Sequence, residues 1–290
     1  MPLHNPPTDF TQQPLPLYLT EGPAWENDKV AFRLYFDIRN DKDVFGKLEP
    51  ALVMDTIGAN ANSSYLNLSH WGMDILHAGN SLGAGSLAFK VKGIDSVIRL
   101  GGENVISEVY EKLADGPLRA VFIITYQFKI NDKPVTIVDE TSIWGGQYFY
   151  QSKVTTSGMP DGVDMQTGMA DFYENTPGHF IADNAAVLYS YGKQSENHDN
   201  LGMAIVVPAK TFTTIDSLPK EIIKGRLVYG PKIYDSYIIG QNISDSKPAF
   251  YRFYSGWEKS DSTFTTSQGF VSYITAQAKN FSSPVIVTWK

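Results

Sequence analysis

Cysteine is absent from this chain of 290 residues. Its absence excludes disulfide frameworks, thiolate metal sites and cysteine nucleophiles. Positive charge is scarce as well, because 24 Lys and Arg residues stand against 31 Asp and Glu residues, which gives a net charge of −7. Since nucleic acids are bound through a basic surface, this balance argues against a nucleic-acid partner. The Lys and Arg residues form no polybasic run of the kind that binds a membrane surface.

Long apolar segments are missing too. No run approaches the roughly twenty apolar residues of a membrane-spanning helix, so we expect no membrane partner. Residues 1–7 lack the charged and apolar parts of a signal peptide, which fits either a cytoplasmic protein or an exported one whose signal was removed. The sequence contains no Walker loop, nucleophile elbow, HExxH motif or dinucleotide fingerprint. It therefore predicts no cofactor and no metal.

Aromatic residues make up 13% of the chain, and many lie in runs that alternate apolar and polar residues, as β-strands do. The run over residues 29–37 predicts a strand with one core face and one polar face. Residues 119–130 and 133–144 repeat the pattern around Asn131-Asp132, which predicts a hairpin. Further strands are predicted at residues 147–157, 186–191, 203–207, 235–239, 249–255 and 284–289.

Helical spacing is rare in this sequence. Residues 270–281 have apolar side chains at helical intervals, with Ser267 as the expected N-cap, and residues 74–78 predict a short turn. Turn residues separate the short strands at close intervals, so the fold class is all-β, a sandwich or a barrel with few short helices. Without a repeat or a composition break, we expect one domain over residues 21–290, preceded by a loose N-terminal segment over residues 1–20.

The histidines offer two candidate bases. On a helix, His70, Asp74 and His77 would share a face, which suits a base oriented by a carboxylate. A structural His–Asp hydrogen bond is an equal alternative, and a metal site is less favoured than either. His198 lies in a polar loop, where a merely exposed histidine is the commonest interpretation.

Arg33 stands in the middle of a predicted strand, where its planar guanidinium needs a partner. A salt bridge to Asp37 or to Glu140 of a neighbouring strand is one interpretation. A clamp for the carboxylate of a ligand is the other, and the sequence leaves both open. The glycine-rich run over residues 79–85 favours a tight loop under a ligand or a β-bulge over a phosphate site.

Tryptophans at Trp25, Trp71 and Trp257 are predicted in loops or at strand ends. Beside polar residues, the face of an indole suits stacking on the apolar face of a sugar ring. Plugging the ends of the sandwich is the alternative for each of them.

Three stretches of the chain carry a family resemblance. They are EGPAWENDKVAFRLYFD at residues 21–37 continuing to residues 43–47, HWGMDIL at 70–76 with GNSLGAGS at 79–86, and GWEKS at 256–260 with PVIVTW at 284–289. In order and spacing they resemble a family of uncharacterised domains encoded in polysaccharide-utilisation loci of Bacteroidota. The resemblance implies a single-domain β-supersandwich of the galactose-mutarotase type and export to the periplasm. It also implies an oligosaccharide substrate, since one branch is associated with ulvan breakdown as a dehydratase acting on a non-reducing-end uronic acid.

Removing water across C4–C5 of a uronic acid requires that the neighbouring carboxylate be neutralised, so that the enolate formed at C5 is stabilised. For a dehydratase of this kind we expect Arg33 to supply the positive charge, with Asn80 as a neutral donor. Tyr35 is the expected acid that protonates the leaving hydroxyl.

The base must lie within hydrogen-bond reach of the C5 proton. His70 oriented by Asp74 is the first candidate, and His198 is the second. The same groups would serve a polysaccharide lyase, whose leaving group is a sugar. A mutarotase-like epimerase and a non-catalytic glycan-binding module are the remaining alternatives.

Overall fold

A computed structural model describes residues 22–58, 65–173, 176–223 and 227–283 of the chain. This part consists of strands in three antiparallel sheets, with one α-helix, which confirms the all-β prediction. In chain order the elements are β1 (Ala24–Glu26), β2 (Val30–Leu34), β3 (Lys42–Lys47), β4 (Gly72–Asp74), β5 (Ala84–Val91), β6 (Val97–Arg99), β7 (Val105–Asp115), β8 (Arg119–Ile130), β9 (Lys133–Trp144), β10 (Phe149–Ser157), β11 (Val163–Ala170), β12 (Gly178–Ala182), β13 (Ala185–Gly192), β14 (Leu201–Pro208), β15 (Phe212–Ser217), β16 (Ser236–Asn242), β17 (Ala249–Trp257) and α1 (Ser267–Ser282).

The sheets pack face to face around one large apolar core. The largest sheet has the order β12-β13-β14-β17-β10-β9-β8-β7, the second β15-β16-β11-β5-β6, and the smallest β1-β2-β3-β4. The core contains side chains from all three, such as Tyr150 and Phe253 of the first, Phe89 and Met165 of the second, and Phe32 of the third. Aromatic rings fill much of it, which explains the high aromatic content, and the arrangement is a β-sandwich.

The central hairpin has the predicted bounds, because β8 and β9 cover the two predicted runs and pair Ile130 with Lys133. Asn131 and Asp132 both adopt left-handed backbone conformations, with φ of 50° and 62°. A two-residue turn with both φ values positive matches the right-handed twist of the strands that it joins.

The polar face predicted for residues 29–37 does not meet solvent in strand β2. Every residue of β2 is buried, including Arg33. The alternation is real, but both faces of the strand are covered. The face opposite the main core packs against a second apolar cluster that includes Met54, Ile57 and Trp71, and this is what excludes water from Arg33.

Two local predictions also need correction. The shared face of His70, Asp74 and His77 required a helix, and this condition is not met, because Gly72–Asp74 is strand β4 and pairs with β3. The turn expected over residues 74–78 begins instead at Ala78, whose carbonyl accepts from the Ser81 N–H at 3.0 Å.

Helix α1 presents the predicted apolar face, with Phe270, Ile274 and Ala278 buried. Its N-cap lies one residue earlier than expected, at Thr266, so the helix begins at Ser267. The Thr266 hydroxyl, not that of Ser267, accepts from the Gly269 N–H at 3.1 Å.

The glycine-rich run forms the β-bulge that was one of its two predicted uses. Between Thr167 and Met169 of β11, the pairing skips from Leu87 to Ala84 of β5, so β5 carries an extra residue. Gly85 lies within this bulge at φ +94°. The predicted strand at residues 284–289 and the N-terminal segment at residues 1–20 lie outside the described residues. No helix in the described ranges is long and apolar enough to cross a bilayer.

Candidate functional site

Four connecting segments meet at one end of the sandwich, and most of the chemistry of interest lies there. The segment after β4 and the one between β13 and β14 are joined by the Glu196 N–H, which donates to Ile75 O at 3.1 Å. The segment after β11 joins them, because the Phe172 ring meets the His77 ring at 4.4 Å. The loop between β2 and β3 approaches through Arg39, whose Nη1 lies 3.5 Å from Gly79 O.

Beneath this end lies a buried carboxyl pair, Asp43 of β3 and Asp74 of β4. The two carboxyl groups hydrogen-bond to each other. The Tyr35 hydroxyl donates to Asp43 Oδ2 at 2.6 Å, and the Val44 N–H donates to Asp43 Oδ1 at 2.8 Å. Asp74 Oδ1 accepts from the Leu76 N–H at 3.1 Å. Tyr35 and Asp74, which the sequence predicted as parts of one site, therefore do converge, on a partner that it did not predict.

Burial and proximity hold a proton in this pair. Burial raises the pKa of Asp43 to about 6. Burial, followed by repulsion from Asp43, raises the pKa of Asp74 well above its ordinary value. Two carboxylates in contact cannot both ionise without strong repulsion, so the pair keeps one proton near neutral pH. A carboxyl group that holds a proton at neutral pH is a frequent feature of functional sites.

Arg33 is the counter-charge of this pair. Its positive charge opposes the rise in pKa of both carboxyl groups. The guanidinium lies 4.9 Å from the centre of the Phe45 ring and 5.2 Å from that of Tyr65, and Nη2 donates to Ile57 O at 3.2 Å.

The two salt-bridge partners suggested by the sequence are engaged elsewhere. Asp37 binds Arg39, and Glu140 lies 3.9 Å from Arg119 and 3.8 Å from Lys153.

Above the pair lies a surface group formed by His77, Tyr173 and Glu196. The Tyr173 hydroxyl donates to Glu196 Oε1 at 2.9 Å, and His77 Nδ1 lies 3.8 Å from the same oxygen. Their side chains face solvent, with 45% of His77 and 37% of Glu196 exposed. Burial, then the hydrogen bond and charge of Glu196, raise the pKa of Tyr173 to about 12. A histidine, a carboxylate and a phenol at this spacing can transfer protons to and from a bound molecule.

A glycine fixes the position of the histidine. Gly79 has φ +53°, and a Cβ on it would lie 2.6 Å from Phe172 Cζ. Phe172 therefore packs directly on the Gly79 backbone, and its ring contacts His77 edge-on. The short segment from Asp74 to His77 connects the surface group to the buried carboxyl pair.

The other predicted base residues lie apart from the carboxyl pair. The side chain of His70 is 81% exposed, with Nε2 3.6 Å from Glu49 Oε1. No hydrogen bond joins His70 to Asp74 among the residues that the structure describes, so the expected orienting contact is not formed. His198 is exposed in a tight turn at φ +60°, with its N–H donating to Ser195 O at 2.9 Å. Their catalytic roles stay predictions.

Asn80 makes hydrogen bonds within the protein. Its Nδ2 lies 2.9 Å from both Glu221 Oε1 and Val228 O, and its Oδ1 accepts from the Gly230 N–H at 3.1 Å. These contacts tie the glycine-rich run to the segment before β16. The amide would need to release these partners to donate to a substrate.

The three tryptophans predicted to stack on sugars are all buried. Trp25 packs against Phe32 and Tyr150 in the main core, and Trp71 belongs to the second apolar cluster. Trp257 Nε1 donates to Asp199 Oδ1 at 2.6 Å. Protein atoms cover the faces of all three rings. The tryptophans are therefore packing residues, which is the alternative that the sequence left open.

Sequence reasoning missed Asp43, Tyr173 and Glu196. Asp43 meets Asp74, and Tyr173 meets Glu196, each across different segments, so no spacing in the chain reveals these contacts. Asp43 directly precedes the apolar pair Val44-Phe45 in β3, a strand buried throughout, and a buried acidic residue needs a partner. In the described ranges, no three His, Asp or Glu side chains form a cluster that could hold a metal ion.

Comparison with known families matches residues 1–287 to a family model described as "Domain of unknown function (DUF4861)". The chain belongs to this family. It is also similar to "Uncharacterized protein P7" of Formosa agariphila, with 22% identity over 290 residues, covering 93% of this chain and 67% of that protein.

Proposed function

We propose that this member of the DUF4861 family is an enzyme that eliminates water across C4–C5 of a non-reducing-end uronic acid in an oligosaccharide, as in ulvan, leaving an unsaturated uronate. The resemblance of the three sequence stretches supports the substrate class. The observation that carries the reaction type is the group of His77, Tyr173 and Glu196 beside a carboxyl pair that retains a proton. The same resemblance supports export to the periplasm, which fractionation of the native cells would test.

In this proposal His77 is the base. Because Nδ1 faces Glu196, we assign Nε2 as the ring nitrogen that accepts the C5 proton of the substrate. The electron pair of the C5–H bond forms the C4=C5 double bond, and the C4–O bond breaks. The departing hydroxyl takes the Tyr173 phenol proton and leaves as water, after which the proton on His77 returns to the phenolate. Glu196 orients both residues, and general acid–base catalysis of this kind contributes roughly 10²–10⁴-fold to a rate.

The substrate carboxylate needs a positive charge beside it. Arg33 lies beneath the buried carboxyl pair, so we assign it to that pair. Lys220 is an exposed cation with 44% of its side chain accessible, and its Nζ lies 2.8 Å from Asp171 Oδ1 and 3.8 Å from Asp235 Oδ1. Asp171 directly precedes Phe172, which contacts His77. We therefore assign Lys220 to the substrate carboxylate.

The test combines one assay with three matched histidine variants. Short ulvan oligosaccharides with a uronic acid at the non-reducing end are incubated with the protein. The products are followed by the ultraviolet absorbance of the unsaturated uronate and by the mass loss of one water. His77→Gln is expected to lower turnover by about 100-fold or more. His179→Gln, an exposed histidine on β12, is the control and leaves turnover unchanged.

His70→Gln separates the two candidate bases. Loss of turnover in His70→Gln with full turnover in His77→Gln would return the role to His70. Release of a sugar in place of water would make the protein a lyase, and interconversion of anomers without new absorbance would make it an epimerase. Binding without any turnover would identify a glycan-binding module.

A further inference from the structure

A polar groove of about 550 Å³ lies on the five-stranded sheet, away from the surface group. Strands β5, β11, β15 and β16 and the turn after β5 line it. Gln166 of β11 forms part of the lining, and Tyr173 lies seven residues further along the chain. Between them, β11 continues from Gln166 to Ala170, which spans roughly 13 Å at about 3.3 Å per extended residue. The groove is therefore a separate feature of the molecule.

Small residues leave space within the groove, a hollow beside Gln166 and Gly240. Gln166 pairs with Ala88 on one side and with Gly240 on the other. A Cβ on Gly240 would lie 2.6 Å from Thr213 Oγ1 and 2.9 Å from Gln166 Nε2. The bare backbone at Gly240 thus leaves room for a hydroxyl and an amide to approach the same point.

The Gln166 amide lacks partners within the described part of the chain. Its side chain is fully buried, and neither Nε2 nor Oε1 forms a hydrogen bond with a described residue. An amide offers two donor hydrogens and an acceptor oxygen, and buried polar groups in native proteins are nearly always hydrogen-bonded. Both polar atoms are covered in this structure, so a ligand reaches them only after a covering side chain moves. A ligand that both donates and accepts hydrogen bonds would then satisfy them.

The charges around the groove favour a neutral ligand. Lys90 Nζ lies 3.6 Å from Asp216 Oδ2, and Asp164 accepts from Asn242 Nδ2 at 2.7 Å. Lys92 and Asp95, the other charged residues of the lining, have opposite signs. Because the charges balance or are paired, the groove offers no net field that would attract an anion.

We infer that this groove binds a neutral saccharide, with the Gln166 amide engaging two adjacent hydroxyl groups. Nε2 donates to one hydroxyl and Oε1 accepts from the next, which matches the spacing of a vicinal diol. Thr213 is exposed, and its hydroxyl lies over Gly240 beside the Gln166 amide. In this inference the Thr213 side chain changes rotamer so that the ligand can reach the amide.

The test measures binding of neutral hexasaccharides, namely cello-, xylo-, manno- and maltohexaose, by titration calorimetry at millimolar concentrations. Gln166→Leu keeps the volume of the side chain but removes both polar atoms. For the hexasaccharide that binds, we expect it to weaken binding about tenfold or more while thermal stability is unchanged or raised. Gly240→Ala is expected to block the hollow and to abolish binding. Gln127→Leu on β8 makes the same substitution in another sheet and leaves binding unchanged.

The proposal is overturned if none of the four hexasaccharides binds the wild-type protein. It is also overturned if Gln166→Leu binds as well as wild type, which would place binding elsewhere. Loss of stability in Gln166→Leu without any saccharide binding would identify an ordered water as the partner of the amide. His77→Gln should bind the hexasaccharide normally, so failure of this inference and failure of the proposed elimination are distinguishable.

Discussion

Replacing Glu108 with Gln should make the protein more stable at alkaline pH. Glu108 lies on β7 opposite Tyr126 of β8 and is buried. Its Oε1 has no hydrogen-bond partner among the described residues. Burial, opposed by the hydrogen bond from Tyr126 and reinforced by the charge of Asp37, raises the pKa of Glu108 from 4.5 to about 8.

The sign follows from proton binding in the two states. Between pH 4.5 and about 8 the folded protein keeps the Glu108 proton and the unfolded chain has lost it. Stability contributed by this residue is therefore complete below pH 4.5 and is lost as the pH rises to about 8. At about 1.4 kcal/mol per pH unit, the loss amounts to at most about 5 kcal/mol, and relaxation of the protein brings our expectation to about 2–5 kcal/mol.

Urea unfolding of wild type and Glu108→Gln, measured at intervals from acid to alkaline pH, checks this prediction. The free energies of unfolding should be similar in acid and should diverge with rising pH in favour of the variant. Glu111→Gln, an exposed position on the same strand, is the matched control and should follow wild type at every pH. Parallel curves for wild type and Glu108→Gln would refute the argument, because they would mean that Glu108 ionises alike in both states.

Two further predictions concern single contacts. Lys42 Nζ lies 3.1 Å from Asp139 Oδ2 and donates to the Tyr251 hydroxyl at 2.8 Å. Lys42→Met should lower the free energy of unfolding in urea by about 3–5 kcal/mol, because it leaves a buried carboxylate unpaired. The double variant with Asp139→Leu should recover most of that loss, and equal instability of the two would contradict the pairing argument. Thr266→Ala should lower stability by about 1 kcal/mol through loss of the N-cap of α1, whereas Ser267→Ala should change it little; the reverse order would make Ser267 the cap.

The sequence predicted the elements that local chemistry determines. The hairpin of β8 and β9 was predictable because alternation and the Asn131-Asp132 turn agree. The burial of the polar side of β2 was not predictable, because the alternation of a strand shows that it has two faces, but not that a distant segment covers the second face. Trp71 belongs to that covering cluster, and nothing near it in the chain reveals this.

The candidate site was predictable only in part, for a related reason. Tyr35 and Asp74 were chosen for their side-chain chemistry, and they do meet, through Asp43. His70 was paired with Asp74 on helical spacing, whereas His70 precedes strand β4 and Asp74 ends it, so spacing that would align the two side chains on a helix does not do so here. The surface group joins residues from three connections, and tertiary pairing alone brings them together.

We propose that the protein removes water from a uronic acid. Mass spectrometry of short ulvan oligosaccharides after incubation, read together with their ultraviolet absorbance, tests it most directly. We predict a product lighter than the substrate by one water, with the absorbance of an unsaturated uronate, formed by wild type and His179→Gln but far more slowly by His77→Gln. Unchanged mass and absorbance in wild type would contradict the claim.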